Sequence, residues 1–232
     1  MSTLEAGVPL ADVAEILYAA NVLGSRAWRP RIDSEDDVIP QNEETLRRDL
    51  IDLFSLIHSR QLAYLLVGGV AMLTYVEGRN TKDVDLVLSI DSLKQLPEVT
   101  ISDRNRDFAR GKFRDLRVDV LFTTNPLFKL VQEQYATTHR FLETDVRCAT
   151  VEGLILLKLY ALPALYLQGD GQQIGLYEGD IFLLLERHRP NLAPLFDVLK
   201  PYVGEDQIAE LKNIATDIQR RIERVDRAKK GT

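Results

Sequence analysis

This chain of 232 residues contains little cysteine and histidine, and it has no excess of positive charge. Cys148 is the only cysteine, so an intramolecular disulfide is excluded and nothing indicates an oxidising compartment. With one cysteine and three scattered histidines, a zinc site is not expected. The net charge of −6 disfavours a broadly basic surface that coats nucleic acid, although it leaves room for a local basic patch.

A targeting segment and a membrane span are not expected either. The N-terminus lacks the basic start and apolar core that a signal peptide would show. The most apolar stretch, Leu154 to Leu167, contains Lys158 and Pro163 and is short, whereas a membrane span needs about 20 mostly apolar residues. We therefore interpret this stretch as a buried helix and expect a cytoplasmic protein without membrane partners.

The first half of the central pattern is an apolar run that ends in two glycines. The run Leu65-Leu66-Val67 predicts a short buried strand. Gly68 and Gly69 lack a Cβ, so the backbone can turn sharply there and approach a ligand closely. A helix is predicted from about Val70, and its free N–H groups would point toward a ligand over the glycines. This arrangement is typical of a phosphate site.

The second half of the pattern is a strand-like run that carries two aspartates. Asp83 and Asp85 are two residues apart and therefore face the same way, while Val84 and Leu86 face the presumed core. Two adjacent carboxylates repel each other unless a cation lies between them, and aspartate is disfavoured in strands. Carboxylate oxygens suit Mg²⁺, which commonly also binds the phosphates of a substrate. The two halves together outline a site for a nucleoside triphosphate.

Gly68-Gly69, a short helix and then Thr81-Lys82-Asp83-Val84-Asp85 together resemble the signature of the DNA polymerase β-like nucleotidyltransferase superfamily. Within that superfamily the chain looks most like the bacterial AbiEii-like group, which includes toxin nucleotidyltransferases, over roughly Leu62 to Asp180. The resemblance implies an α/β (α+β) nucleotidyltransferase fold, with a mixed β-sheet flanked by helices. The expected organisation is an N-terminal helix and linker over 1–41, the core over 42–150 and a helical region over 151–232.

The resemblance also implies a third carboxylate from a later strand. The run Arg117 to Phe122 supplies Asp119, whereas the competing Asp115 lies before the apolar run. The implied catalytic residues and metal ligands are Asp83, Asp85 and Asp119, with Mg²⁺ or Mn²⁺ as the cofactor.

The predicted nucleotide-binding residues are Gly68, Gly69, Arg79, Lys82 and Lys158. Arg79 and Lys82 are also compatible with solvated loop charges. Lys158 lies in an apolar helix and is either a triphosphate ligand or a structural lysine in a salt bridge, because a buried lysine is costly without a partner. The family places a Lys-Asp-x-x-Asp pattern after this lysine, and here the segment is Tyr177-Glu178-Gly179-Asp180.

The implied reaction is transfer of a nucleoside monophosphate from a nucleoside triphosphate to an acceptor hydroxyl. RNA or tRNA is the leading acceptor, and a toxin–antitoxin pair with a cognate partner is the implied context. One alternative is nucleotidylation (AMPylation) of a partner protein, and another is a non-catalytic nucleotide-binding or interaction module. A cluster of basic residues is either a solvated hairpin or a basic rim for RNA: Arg104, Arg106, Arg110, Lys112 and Arg114.

The remaining elements are predicted from periodicity and capping signals. Leu10 to Trp28 predicts an amphipathic helix, which packs on the core or binds a partner. One strand is predicted over Phe141 to Thr150. Other helices are predicted over Asn42 to Ser59, Asp91 to about Pro97, Asn125 to about Ala136, Val151 to Leu167, Glu178 to His188, Leu192 to Leu199, and Asp206 to about Lys229.

Overall fold

The computed structural model describes residues 43–77, 81, 83–141 and 144–230 of the chain. The predicted helix Leu10 to Trp28 and the two cationic residues Arg79 and Lys82 lie outside the described residues. The chain divides into two compact units between Ala149 and Thr150. Each unit is described separately below.

The first unit is built on a mixed sheet of seven strands in the order β3-β4-β5-β2-β1-β7-β6. The pairs β1–β7 and β2–β5 are parallel, and the other pairs are antiparallel. The mixed sheet flanked by helices confirms this part of the predicted fold class. The elements in chain order are α1 (Glu43–Ser59), β1 (Tyr64–Val67), α2 (Gly68–Met72), β2 (Asp83–Leu88), α3 (Ile90–Lys94), β3 (Val99–Arg104), β4 (Phe108–Phe113), β5 (Leu116–Phe122), α4 (Pro126–Gln134), β6 (Ala136–Phe141) and β7 (Thr144–Ala149).

Alternation along β2 and β5 separates an apolar face of the sheet from a polar one. Val84 and Leu86 on β2, and Val118 and Val120 on β5, are completely or almost completely buried. The residues between them are only half-buried, because successive side chains of a strand point to opposite faces. Helix α4 contacts both strands, and helix α1 contacts β5. The polar face carries the aspartates that the sequence singles out.

The region after β5 differs from the sequence prediction. Asn125 caps α4 by accepting a hydrogen bond from the Leu127 amide at 3.0 Å, and Pro126 lies in the first turn, as predicted. The helix ends at Gln134 rather than near Ala136, and strand β6, which was not predicted, follows at once. The predicted strand over Phe141 to Thr150 corresponds to β7.

The second unit is helical, which confirms the predicted C-terminal region. It contains α5 (Val151–Gln168), α6 (Gly171–His188), α7 (Ala193–Leu199) and α8 (Glu205–Lys230). Gly169 ends α5 in the left-handed conformation with φ of 69°, which glycine adopts without strain. Asp170 then caps α6 by accepting a hydrogen bond from the Gln173 amide.

Helix α5 is long and apolar enough to cross a membrane by length and composition alone. Half of that stretch is buried, it contains Pro163, and it packs against α6. The core helix of a soluble protein passes the same test, so this single helix is weak evidence for a span.

Candidate active site

Three aspartates lie together on the polar face of adjacent strands. In the parallel pairing of β2 with β5, Asp85 lies directly opposite Asp119 and Asp83 lies opposite Arg117. All three carboxylates are partly shielded, and the Asp119 side chain is 13% exposed. The structure therefore brings together the three residues that the sequence proposes as catalytic.

Arg110 on β4 places a positive charge beside these aspartates. It lies directly opposite Asp119, and its Nε donates a hydrogen bond to Asp119 Oδ1 at 3.3 Å. Burial raises the pKa of Asp119 above its usual value; Arg110 opposes this rise, and the nearby charge of Asp83 adds to it. Asp119 is consequently a stronger base than a free aspartate. The negative charge of Asp83 is close enough to contribute to this rise in pKa.

The donors on this face have the right chemistry for Mg²⁺ or Mn²⁺, because both ions favour carboxylate oxygens. Because Gly68 has no Cβ, the Asp85 carboxylate fits directly over it, and the end of β1 therefore lies beside the aspartates. Across residues 43–77, 81, 83–141 and 144–230, however, no three His, Cys, Asp or Glu side chains are grouped as metal ligands. Asp119 pairs with Arg110 instead, so metal binding at this face stays a prediction.

The glycine pair makes room for the carboxylate strand. Gly68 has φ of +64°, and a Cβ added to it would lie 1.9 Å from Asp85 Oδ2. A Cβ on Gly69 would lie 2.3 Å from Thr81 Oγ1, and the buried Thr81 hydroxyl donates a hydrogen bond to the Asp83 carbonyl at 3.2 Å. Helix α2 begins at Gly68 rather than near Val70 and has only five residues. Thr81 belongs to the sequence motif, and its hydrogen bond to Asp83 is local, but its close approach to Gly69 depends on tertiary structure.

We expect Gly68→Ala to impair both stability and activity. The new methyl group meets Asp85 and forces a side chain into a left-handed conformation, which costs about 1–3 kcal/mol. Displacement of Asp85 should also lower any nucleotidyl transfer at least about tenfold, since small misplacements at a reacting centre are expensive. Urea unfolding and initial rates measure the two effects.

Gly175→Ala on α6 is the matched control, because a Cβ there would meet nothing within 4 Å. This variant should be neutral or more stable, as alanine is the better helix former. A Gly68→Ala protein with the stability and activity of the wild type would show that the contact with Asp85 has no importance.

The basic cluster predicted over 104–114 is divided by the structure. Arg114 donates to Asp49 at 2.9 Å and also to Asp52, and the Asp49 side chain is only 3% exposed. Arg104 stacks over the Phe122 ring, 5.0 Å from its centroid. Arg114 and Arg104 therefore stabilise the first unit, whereas Arg110 and Lys112 alternate with buried residues of β4 and lie on the polar face.

Lys158 lies in the second unit, where Nζ donates to Asp180 Oδ2 at 2.6 Å. Both side chains are buried, with exposures of 7% and 2%. The Lys158 ammonium also lies 4.6 Å from the centroid of the Tyr177 ring. The sequence allowed Lys158 to be either a structural lysine in a salt bridge or a triphosphate ligand, and the structure has the salt bridge. A role of Lys158 in nucleotide binding stays a prediction.

Comparison with known proteins yields similarities of structure but not of sequence. A scan against protein-family models finds no match, and neither does a search of the curated proteins. An antigenic nucleotidyltransferase-like protein from Paracoccidioides brasiliensis is 17% identical, with a TM-score of 0.49 over 75% of this chain and 88% of that chain.

The antibiotic-resistance factor ANT(2'')-Ia in solution is 12% identical, with a TM-score of 0.47 over 82% of this chain and 99% of that one. The crystal structure of ANT(2'')-Ia with adenylyl-2''-tobramycin is also 12% identical, with a TM-score of 0.46 over 74% and 96%. These neighbours are nucleotidyltransferases or nucleotidyltransferase-like proteins, and at these identities the likeness is one of fold alone.

Proposed function

We propose that this protein is a metal-dependent nucleotidyltransferase, which moves a nucleoside monophosphate from a nucleoside triphosphate to a hydroxyl of RNA or tRNA. The observation that carries the proposal is the placement of Asp83, Asp85 and Asp119 on one face of two adjacent strands. Aspartate is unfavourable in strands, and three like charges on one face repel each other. Arg110 and Arg117 offset part of this negative charge, and a bound metal ion would compensate the rest. A toxin–antitoxin setting in the cytoplasm, with a cognate partner, belongs to the same proposal.

The metal ion, Mg²⁺ or Mn²⁺, would be held by Asp83, Asp85 and Asp119 and would neutralise the charge that develops on the phosphates. In the reaction, the acceptor oxygen forms a bond to the α-phosphorus, and the bond from that phosphorus to the β-phosphate oxygen breaks. Pyrophosphate leaves, and Asp119 accepts the hydroxyl proton. The shielded position of Asp119 supports this role, because burial raises its pKa and strengthens it as a base.

Gly68, Gly69, Arg79 and Lys82 are proposed to bind the triphosphate. The Asp85 carboxylate occupies the space over Gly68, so the support for this assignment is that the end of β1 lies next to the carboxylates. The two cationic residues Arg79 and Lys82 lie outside the described residues, so their assignment rests on the sequence motif alone. Lys158 is proposed as a further phosphate ligand only if the Asp180 ion pair opens.

Incubation with each labelled nucleoside triphosphate, Mg²⁺ and total bacterial RNA tests the proposal, beside an Asp83→Ala/Asp85→Ala control. We expect label to enter RNA with the intact protein only, which would also identify the base. If label instead enters a protein, the acceptor is a partner protein. Nucleotide binding without pyrophosphate release would contradict catalysis and support a sensor or interaction module.

A further inference from the structure

Arg110 on β4 lies between two carboxylates that belong to the neighbouring strands. It is directly opposite Asp119 on β5 and directly opposite Asp103 on β3. Side chains paired in this way have Cβ atoms about 5 Å apart, so one guanidinium is long enough to reach either carboxylate. In the structure, Arg110 Nε donates to Asp119 Oδ1 at 3.3 Å. Arg110 therefore has two acceptors of the same kind, one on each side.

The two carboxylates differ in their surroundings. The Asp119 side chain is only 13% exposed, and it has Asp85 opposite it on β2. Asp103 is exposed and belongs to the edge strand β3. The Arg110 side chain is itself 61% exposed, so it is able to turn through solvent from one acceptor to the other. An ion pair with this much exposure is weak, and a competing cation is able to break it.

A divalent ion would compete with Arg110 for Asp119. Asp119 is one of the three residues proposed above to hold the metal ion, and its Oδ1 accepts the hydrogen bond from Arg110. Two cations on one carboxylate repel each other, and the repulsion is stronger where the carboxylate is shielded from water. Within the described ranges, the three aspartates are accordingly not grouped as the ligands of one ion. Tight binding of a metal ion therefore requires Arg110 to leave Asp119.

We propose that Arg110 is a positioning residue that exchanges between Asp119 and Asp103. Without a metal ion it holds Asp119 and offsets part of the negative charge of the aspartates. When the ion binds, Arg110 turns to Asp103, and its charge stays paired while Asp119 becomes a ligand. The inference rests on the proposed function for the choice of Asp119 as a metal ligand.

Binding of Mn²⁺ to the full chain tests the exchange, because electron paramagnetic resonance measures free Mn²⁺ and does not depend on catalysis. We expect Arg110→Gln to raise the affinity for Mn²⁺ about fivefold, since one partly exposed ion pair no longer competes. Arg110→Lys keeps the positive charge, so its affinity should stay within about twofold of the wild type. Asp103→Asn should lower the affinity about threefold, because Arg110 loses its second acceptor.

The double variant Arg110→Gln/Asp103→Asn separates the exchange from a general effect of charge. Without the guanidinium, Asp103 has nothing to receive, so the double variant should bind Mn²⁺ as tightly as Arg110→Gln alone. Arg60→Gln is the control, since Arg60 also pairs with a carboxylate, that of Glu98, but precedes β1, whose other end leads into Gly68. Its affinity should equal that of the wild type. Circular dichroism verifies the fold of each variant.

The proposal is overturned if Arg110→Gln binds Mn²⁺ no more tightly than the wild type, or if no variant binds Mn²⁺. It is also overturned if Asp103→Asn weakens binding equally with and without Arg110, because Asp103 would then act only through its own charge. Failure of the proposed function looks different. In that case Mn²⁺ binding and its dependence on Arg110 persist, but no labelled nucleotide is transferred to any acceptor.

Discussion

Asp85→Asn is expected to lower nucleotidyl transfer by a factor of about 10³, which is the usual cost of losing one electrostatic element at a reacting centre. Asp85 is central to the site, since it lies opposite Asp119 on one side and Val67 on the other. Asparagine keeps the shape that fills the gap over Gly68 but removes the charge. The fold should therefore be retained while the chemistry is lost.

Initial rates with the acceptor found in the labelling experiment measure this effect, and circular dichroism verifies the fold. Asp91→Asn on α3 is the control, because it removes one carboxylate from an exposed position in the same unit. Its rate should match that of the wild type. Retention of more than about a tenth of the rate by Asp85→Asn would remove the carboxylate from the mechanism.

Lys158→Met is expected to have the largest effect on stability, a loss of about 3–5 kcal/mol in the free energy of unfolding. The substitution leaves the Asp180 carboxylate buried beside an apolar side chain, without the ammonium 2.6 Å away. Urea unfolding measures this loss. Lys200→Met is the matched control, since its ion pair with Asp197 is exposed and should contribute at most about 1 kcal/mol.

The double variant Lys158→Met/Asp180→Leu should recover most of the lost stability, because both charges are then absent from the interior. Failure of this recovery would mean that the destabilisation comes from packing rather than from an unpaired charge. The same variant decides between the two roles of Lys158. A loss of nucleotide affinity in the stable double variant would make Lys158 a triphosphate ligand, and an unchanged affinity would leave it a structural residue.

The parts of the site that the sequence predicts are those with a local signal. Asp83 and Asp85 alternate with buried residues within one strand, and Asp119 does so within another, so each face follows from the strand period. Strand β6 has no such signal. It is an edge strand whose residues Thr137 to Arg140 are polar and at least partly exposed, and it follows α4 almost directly.

Other features depend on which residues meet across the sheet, and a single sequence does not specify this. The pairing of Lys112 with Arg117 follows from the register of the β4–β5 hairpin, which turns at Arg114 with φ of 54°. Likewise, the sequence predicts that Gly68 lets the backbone approach a ligand closely. In the structure, the atom nearest to the position of a Gly68 Cβ is Asp85 Oδ2. Lys158 is recognisable as a costly residue, but its partner Asp180 lies on another helix.

Both strands that carry the aspartates are interior strands of the sheet, each hydrogen-bonded to a neighbour on either side. Amide hydrogens of such strands exchange with solvent only when a large part of the structure opens. The backbone spacing of the three carboxylates is thus fixed to the same degree as the core itself. If the proposed transfer takes place at this face, heating should abolish it together with the sheet in one transition. Any adjustment to a substrate would then fall to side chains such as that of Arg110.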